Sequence, residues 1–384
     1  MLITYGRQSI DSNDAKEVLK ALKSDYLTQG PLVNKFEDLL KKKFKTKYTL
    51  AVSNGSAALH LIGKILDWKT GDKIIVPPIT FVSSVNSIAH CMATPKFVDI
   101  NLKNYCIDVN KLENILKYDR KVKAVIVTDY AGHPADWEKL LVLKKKYNIK
   151  LVNDNCHAIG SSINQNFGYA TKFADLVALS FHPVKGITTG EGGAILTNNY
   201  KYFLKGKLFR SHGINKEFKN KLKNKPWYYE MKELGFNFRL SDIQSALGIS
   251  QIRKLNKFIQ KRKKIALFYN KIFTDTEKFT IPLVEKNVTH SYHLYPLLVN
   301  FKKINKTKEQ VFKEFFKKRI KLQVHFIPVN MQPYYKKKVK FDKIKFKNSV
   351  EFYKKEISMP IYYDLSFKQL KYIKKVCKKI FNIK

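Results

Sequence analysis

Ser180-Phe181-His182-Pro183-Val184-Lys185 is followed directly by Gly186-Ile187-Thr188-Thr189-Gly190-Glu191-Gly192-Gly193, so one lysine stands at the edge of a run of small residues. About thirty residues upstream, Leu151-Val152-Asn153-Asp154 reads as an apolar strand that ends in a carboxylate. A lysine so placed can hold an aldehyde as a Schiff base, and an acid on a buried strand can keep a heterocycle nitrogen protonated. Pyridoxal 5′-phosphate (PLP) needs both groups, which makes Lys185 and Asp154 the candidate catalytic pair and PLP the expected cofactor. A desolvated site lowers the pKa of such a lysine, because burial disfavours its charged form.

Outward from this stretch, helical and strand patterns alternate. Helices are expected over 14–24, 35–43, 57–66 and 85–91, and strands at Thr49-Leu50-Ala51-Val52, Lys73-Ile74-Ile75-Val76, Lys96-Phe97-Val98-Asp99, Ala124-Val125-Ile126-Val127 and Lys150 to Asp154. Such alternation predicts an α/β fold with a mainly parallel sheet and helices on both faces. Past about residue 250 the pattern changes. A short helix over 241–248 precedes a long basic helix from Ile252 to Asn270. Strands are expected at Tyr292 to Val299 and Leu322 to Phe326, helices at Lys308 to Arg319 and Ser366 to Lys379, and a solvated turn at Lys336-Lys337-Lys338. The predicted division is a large domain over 1–250 and a smaller C-terminal α+β domain over 251–384.

Composition bounds the function. The 384 residues, 44% hydrophobic and 13% aromatic, suffice for a substantial core. No apolar run reaches the roughly 20 residues of a membrane span, and the first residues lack a signal-peptide pattern, so a cytoplasmic protein without a membrane partner is expected. Cys91, Cys106, Cys156 and Cys377 are widely spaced, which predicts neither a metal site nor a disulfide framework. The formal charge of +42 would ordinarily suggest nucleic acid, yet only seven of the 73 basic residues are arginine. Arginine is the residue suited to bidentate recognition of phosphates and bases, so its scarcity argues for a lysine-covered surface and no nucleic-acid partner.

Other segments suit a phosphorylated cofactor. Ser53-Asn54-Gly55-Ser56 links a strand to a helix, where free N–H groups and the helix dipole attract phosphate, although many α/β proteins cap helices this way. Ser180 can supply a hydroxyl to the same phosphate or be an ordinary strand serine. Phe81, just after a strand, can stack on a pyridine ring or join the core. His157, three residues past Asp154, fits a cofactor contact or a structural role equally, and Asn237 fits a helix cap.

Taken together, Ser180 to Gly193 and Gly235-Phe236-Asn237-Phe238-Arg239-Leu240-Ser241-Asp242-Ile243-Gln244-Ser245-Ala246-Leu247-Gly248 resemble the DegT/DnrJ/EryC1/StrS family of PLP-dependent sugar aminotransferases, over nearly the whole chain. The resemblance implies the type I PLP-dependent aminotransferase fold. It implies that Lys185 carries the cofactor and moves protons, Asp154 pairs with the ring nitrogen, Phe81 stacks on the ring and His157 lies at its oxygen side. Gly55, Ser56 and Ser180 would hold the phosphate. Asn237 would reach the phosphate of a neighbouring subunit, which implies a homodimer with shared sites. Tyr5, Asp25, Tyr26, Leu27 and Thr28 would line the sugar-nucleotide cleft with Gln323, Val324, His325 and Phe326.

Tyr5, Leu27-Thr28-Gln29-Gly30, Tyr130-Ala131-Gly132-His133, Ser180 to Gly193, Arg210-Ser211-His212-Gly213 and the Gln323 to Phe326 segment resemble a narrower branch, which aminates C4 of a UDP-linked 4-keto-6-deoxy-N-acetylhexosamine with L-glutamate for pseudaminic acid synthesis. Perosamine-type or 4-amino-arabinose-type keto sugars are the nearer alternative substrates, and a non-catalytic lysine-rich nucleic-acid-binding protein the more distant reading. Family members that dehydrate rather than aminate carry histidine at the lysine position, so Lys185 argues for transamination. The chain departs from the family pattern at Asn155-Cys156 and Gly186, next to the expected cofactor, where rate or substrate preference could change.

Overall fold

The computed structural model describes residues 2–215, 225, 227–338 and 344–383. Its central feature is a seven-stranded sheet with the spatial order Tyr48–Val52, Gly193–Thr197, Leu176–Ser180, Lys150–Asp154, Val122–Thr128, Lys73–Val76 and Thr94–Phe97. Gly193–Thr197 runs antiparallel to both of its neighbours, and the other pairs are parallel. The sheet is therefore mainly parallel, as the alternating pattern predicts.

Because successive strand residues point to opposite faces, near-continuous apolar strands feed two cores at once. Leu151, Val125, Val127, Val177 and Leu179 join one core with Phe36, Leu40, Trp137, Leu140 and Leu255. Val152, Ala124, Ile126, Leu176 and Ala178 turn the other way, onto Leu59, Leu61, Ile62, Val85 and Ile88. A third core gathers Ile265 and Tyr269 with Leu297, Val299, Phe315, Ile357, Ile373 and Phe381, and Ile3 from the opposite end of the chain packs into it. Its sheet has three antiparallel strands, Phe279–Thr280, Tyr295–Val299 and Glu356–Met359.

The structure departs from the sequence reading at several points, and the strand expected at Lys96 to Asp99 lies two residues earlier, at Thr94–Phe97. Asp242–Asn270 is one continuous helix rather than two. Gly248 does not end it, because a Cβ there would lie 2.6 Å from the Phe36 ring, so the glycine serves close packing. Leu322 to Phe326 is not a strand: Gln323 alone among these residues makes a bridge, to Ser358. The strand expected from Tyr292 begins at Tyr295, and Lys336 to Lys338 form the last turn of a helix, Pro333–Lys338. Among the described residues no helix is long and apolar enough to cross a membrane.

Candidate active site

Three parallel strands deliver their last residues, Thr128, Asp154 and Ser180, to one edge of the sheet, where Thr128 stands opposite Asp154 in register. Crevices at the carboxyl ends of such strands are where open α/β sheets bind ligands. A cavity of about 450 Å³ opens there. Gly55, Ser56, Phe81, Asp154, His157, Ser180 and Lys185 line it from the large sheet's side, and Tyr5, His325 and Phe326 line it from the other.

Asp154 is buried, and its carboxylate is held at both oxygens. Ser84 donates its hydroxyl to Oδ2 at 2.6 Å, and the Cys156 N–H approaches Oδ1 at 3.2 Å. Behind Ser84, Thr80 lies 2.9 Å from both Ser84 and Thr128, so a chain of hydroxyls sets the orientation of the acid. An ionised carboxylate has acceptor capacity beyond these two bonds, which suits it to receive a ring N–H.

At the cavity's other polar end, Gly55–Ile65 begins a helix capped by Asn54, whose Oδ1 takes the Ala57 N–H at 2.8 Å. The N–H groups of Gly55 and Ser56 belong to the first turn, which has no intrahelical partners to give them. A Cβ at Gly55 would lie 2.7 Å from Ser180 Cβ, so glycine permits the close approach of that strand. Ser83 donates to Ser56 Oγ at 2.6 Å. Helix-start amides, two serine hydroxyls and positive dipole make a cradle for a phosphate group.

Lys185 sits on a loop tied at its base by Phe181 N–H to Gly192 O at 2.8 Å and Thr189 N–H to Phe181 O at 3.0 Å. The small residues are required here: a Cβ at Gly192 would meet Thr189 Oγ1 at 2.1 Å, and Gly190 has φ of +80°. Burial lowers the pKa of Lys185, partly opposed by Cys156 and Asp154. His157 is buried with no hydrogen-bond partner for Nδ1, and its ring stands 4.4 Å from that of His293. Burial, then the nearby Lys185 and His325, hold His157 well below the usual histidine range. Phe81 is 53% exposed and belongs to the cavity mouth, 6.0 Å from the Phe326 ring, rather than to the core.

A buried orphan nitrogen at His157, a glycine-lined phosphate cradle and an acid clamped at the strand end all fit PLP. The site reaches further than the sequence reading. Ser83, Thr80, Glu191 and His293 also line the cavity, and Ser84 stands behind Asp154. Ser83 and Ser84 follow Phe81 at a strand-to-helix junction, the one signal that could have marked them. Gln323, Val324, Asn237 and Asp25 to Thr28 do not line the cavity within one chain. Asn237 and Asp25 to Thr28 are exposed. Asn155 points away from it, donating to Asp129 at 3.1 Å and meeting Tyr169 at 2.8 Å, whereas Cys156 lines it. At Gly186 a Cβ would come within 3.2 Å of Ile159, which leaves little room for the bulkier family residue. The four cysteines are buried and free, and among the described residues no His, Cys, Asp and Glu group could hold a metal.

The pattern of the DegT/DnrJ/EryC1/StrS aminotransferase family matches residues 8–380. The chain is 37% identical over 375 residues to the UDP-4-amino-4,6-dideoxy-N-acetyl-beta-L-altrosamine transaminase of Campylobacter jejuni subsp. jejuni serotype O:2, covering 97% of this chain and 96% of that protein. Among solved structures it is similar to Helicobacter pylori PseC, an aminotransferase of pseudoaminic acid biosynthesis, with a TM-score of 0.90, 33% identity and 100% of both chains covered. It also resembles the PLP form of Spr1654 from Streptococcus pneumoniae, with a TM-score of 0.89, 26% identity, and 100% and 99% of the two chains covered.

Proposed function

The chain belongs to the DegT/DnrJ/EryC1/StrS aminotransferase family and is a PLP-dependent sugar aminotransferase, and from that premise we propose its substrate and the roles of its residues. The reaction moves an amino group from L-glutamate to C4 of a UDP-linked 4-keto-6-deoxy-N-acetylhexosamine, giving UDP-4-amino-4,6-dideoxy-N-acetyl-β-L-altrosamine and 2-oxoglutarate. The observation that carries this reading is the meeting of Lys185 and Asp154 in one cavity that Tyr5, His325 and Phe326 also line. The likeness to the Campylobacter transaminase across 97% of the chain supports the choice of sugar.

When bound, PLP supplies an aldehyde that carries the amino group and a ring that withdraws electrons from the reacting carbon. Lys185 Nζ, whose pKa burial lowers, takes a proton from the nitrogen-bearing carbon of L-glutamate, and in the second half-reaction delivers one to C4 of the sugar. Asp154, oriented by Ser84, holds a proton on the ring nitrogen. The Gly55 and Ser56 amides with Ser180 bind the phosphate, Phe81 covers one face of the ring, and His157 stands at its oxygen side. Lys185 lines the same cavity as these groups, so it stands where the proton is exchanged, while the open mouth at Phe81 admits the water that release of 2-oxoglutarate requires.

Asn237 and the exposed Asp25, Tyr26, Leu27 and Thr28 act on the site of a second subunit in a cytoplasmic homodimer. Residues 1–250 form the cofactor-binding domain and 251–384 a smaller one, with Gln323 and Val324 placing His325 and Phe326 at the sugar cleft.

The test is a comparison of UDP-linked and GDP-linked 4-keto sugars as amino acceptors with L-glutamate. The UDP-linked 4-keto-6-deoxy-N-acetylhexosamine is expected to have the highest kcat/KM, by roughly tenfold or more. Faster turnover of a GDP-linked or 4-keto-pentose acceptor would replace this substrate.

A further inference from the structure

His325 lies at the cavity, yet what it presents there is set by two residues behind it. Its Nδ1 is 2.8 Å from Ser358 Oγ, and Ser358 in turn donates to Glu356 Oε1 at 2.5 Å. Glu356 Oε2 accepts the backbone N–H of His325 at 3.0 Å. The Tyr130 hydroxyl donates to the His325 carbonyl, and Ser358 N–H reaches Gln323 O at 2.8 Å. Glu356 and Ser358 are both fully buried, on the strand Glu356–Met359.

We propose that Glu356 and Ser358 are positioning residues that hold His325 as its Nδ1–H tautomer, so that Nε2 offers a lone pair to a hydroxyl of the carbohydrate substrate. The number of protons available to the three groups fixes the tautomer. A serine hydroxyl has one proton, and Ser358 gives it to an acceptor-only carboxylate, so toward Nδ1 it can only accept. His325 therefore carries its proton on Nδ1. Its Nε2 has no hydrogen-bond partner among the described residues, and it is not among the buried unpaired polar atoms, so it is open to the cavity that His325 lines. A sugar offers several O–H donors to such an acceptor.

Neighbouring charges agree with a neutral ring. Burial and then Lys185 bring the His325 pKa down to about 3, and His157 and His293 stand nearby. Around Glu356 lie Lys308, Tyr105 and Tyr130, and burial raises its pKa to about 7. At pH 8 the carboxylate form prevails. The inference rests on the proposed function for the identity of the ligand, but the tautomer does not depend on it.

The experiment records long-range proton–nitrogen correlations of ¹⁵N-histidine-labelled holoenzyme at pH 8, with His325→Gln used to assign the signal. The wild type is expected to show His325 protonated at Nδ1 alone. Glu356→Gln should reverse this: its carbonyl must face the His325 N–H, its NH₂ then faces Ser358, and Ser358 must donate to Nδ1, leaving the proton on Nε2. With the acceptor lost, KM for the keto sugar should rise on the order of tenfold, the cost of one hydrogen bond. Ser358→Ala, a second variant, should give a mixture of tautomers. A wild-type Nε2–H signal, or an unchanged Nδ1–H signal in both variants, overturns the proposal. The L-glutamate half-reaction, followed separately, shows whether the aminotransferase reading itself has failed.

Discussion

Ser84 donates its hydroxyl proton to Asp154 Oδ2 across 2.6 Å, and Ser84 is itself held by Thr80 at 2.9 Å. A buried carboxylate with several rotamers open to it would face the cofactor nitrogen for a fraction of the time, whereas this chain of hydroxyls leaves one orientation. Ser84→Ala should therefore weaken PLP retention by about 1–2 kcal/mol, or roughly tenfold in the dissociation constant. Equilibrium dialysis measures it. Retention equal to the wild type would show that the Cys156 N–H suffices to hold the acid.

Gly55→Ala places a Cβ 2.7 Å from Ser180 Cβ, a separation that requires the strand end or the helix start to move. Overpacking of this kind costs about 1–3 kcal/mol. The expected outcome is a lower Tm for the apo protein and a smaller rise in Tm on adding PLP, because the displaced amides are those proposed to hold its phosphate. A lower Tm with an undiminished PLP increment would locate the phosphate elsewhere.

Acid should destabilise the fold through its buried histidines. Burial lowers the pKa of His133, His157, His290, His293 and His325. Below the unfolded value of about 6.5 the unfolded chain binds protons that the folded one refuses, so stability is lost as pH falls and is fully present above that value. Each such histidine contributes a slope of up to about 1.4 kcal/mol per pH unit. Denaturant titrations from pH 7 to pH 5 should show the decline, and His293→Gln should flatten it. Parallel curves for the two proteins would mean that burial does not lower the pKa of His293.

Subunit sharing can be tested by complementation. Coexpressed Lys185→Ala and Asn237→Asp chains should each be poorly active alone, yet form mixed dimers in which one site has both native residues, recovering up to about a quarter of wild-type activity by random pairing. No recovery, with mixed dimers shown to form, would place Asn237 in its own subunit's site.

The parts legible from the sequence were those with a local pattern. Lys185 stands out because its loop needs Gly190 for its positive φ and Gly192 for its close contact with the Thr189 side chain, and Asp154 because it ends an apolar strand. Less legible were groups brought in from distant segments. His293 reaches His157 across more than a hundred residues, and Glu356 with Ser358 reaches His325 across about thirty. Leu322 to Phe326 alternates like a strand, but the His325 N–H is spent on the Glu356 side chain, and the Val324 N–H on Gln323 Oε1, so no ladder can form. Gly248 reads as a helix end, since its contact with Phe36 lies about two hundred residues away in the chain. Asn155 departs from the family pattern without touching the cavity, because its amide completes the shell of Asp129.

The most direct measurement supplies [¹⁵N]L-glutamate and the UDP-linked 4-keto-6-deoxy-N-acetylhexosamine to PLP-loaded wild-type protein and to Lys185→Ala, and follows the label by mass spectrometry and NMR. The wild type is expected to place ¹⁵N at C4 of the sugar with release of 2-oxoglutarate, and the variant to lose this by several orders of magnitude. Sugar left unlabelled by the wild type contradicts the proposed reaction, and sugar labelled equally by Lys185→Ala contradicts the assignment of Lys185 as the residue that moves the proton.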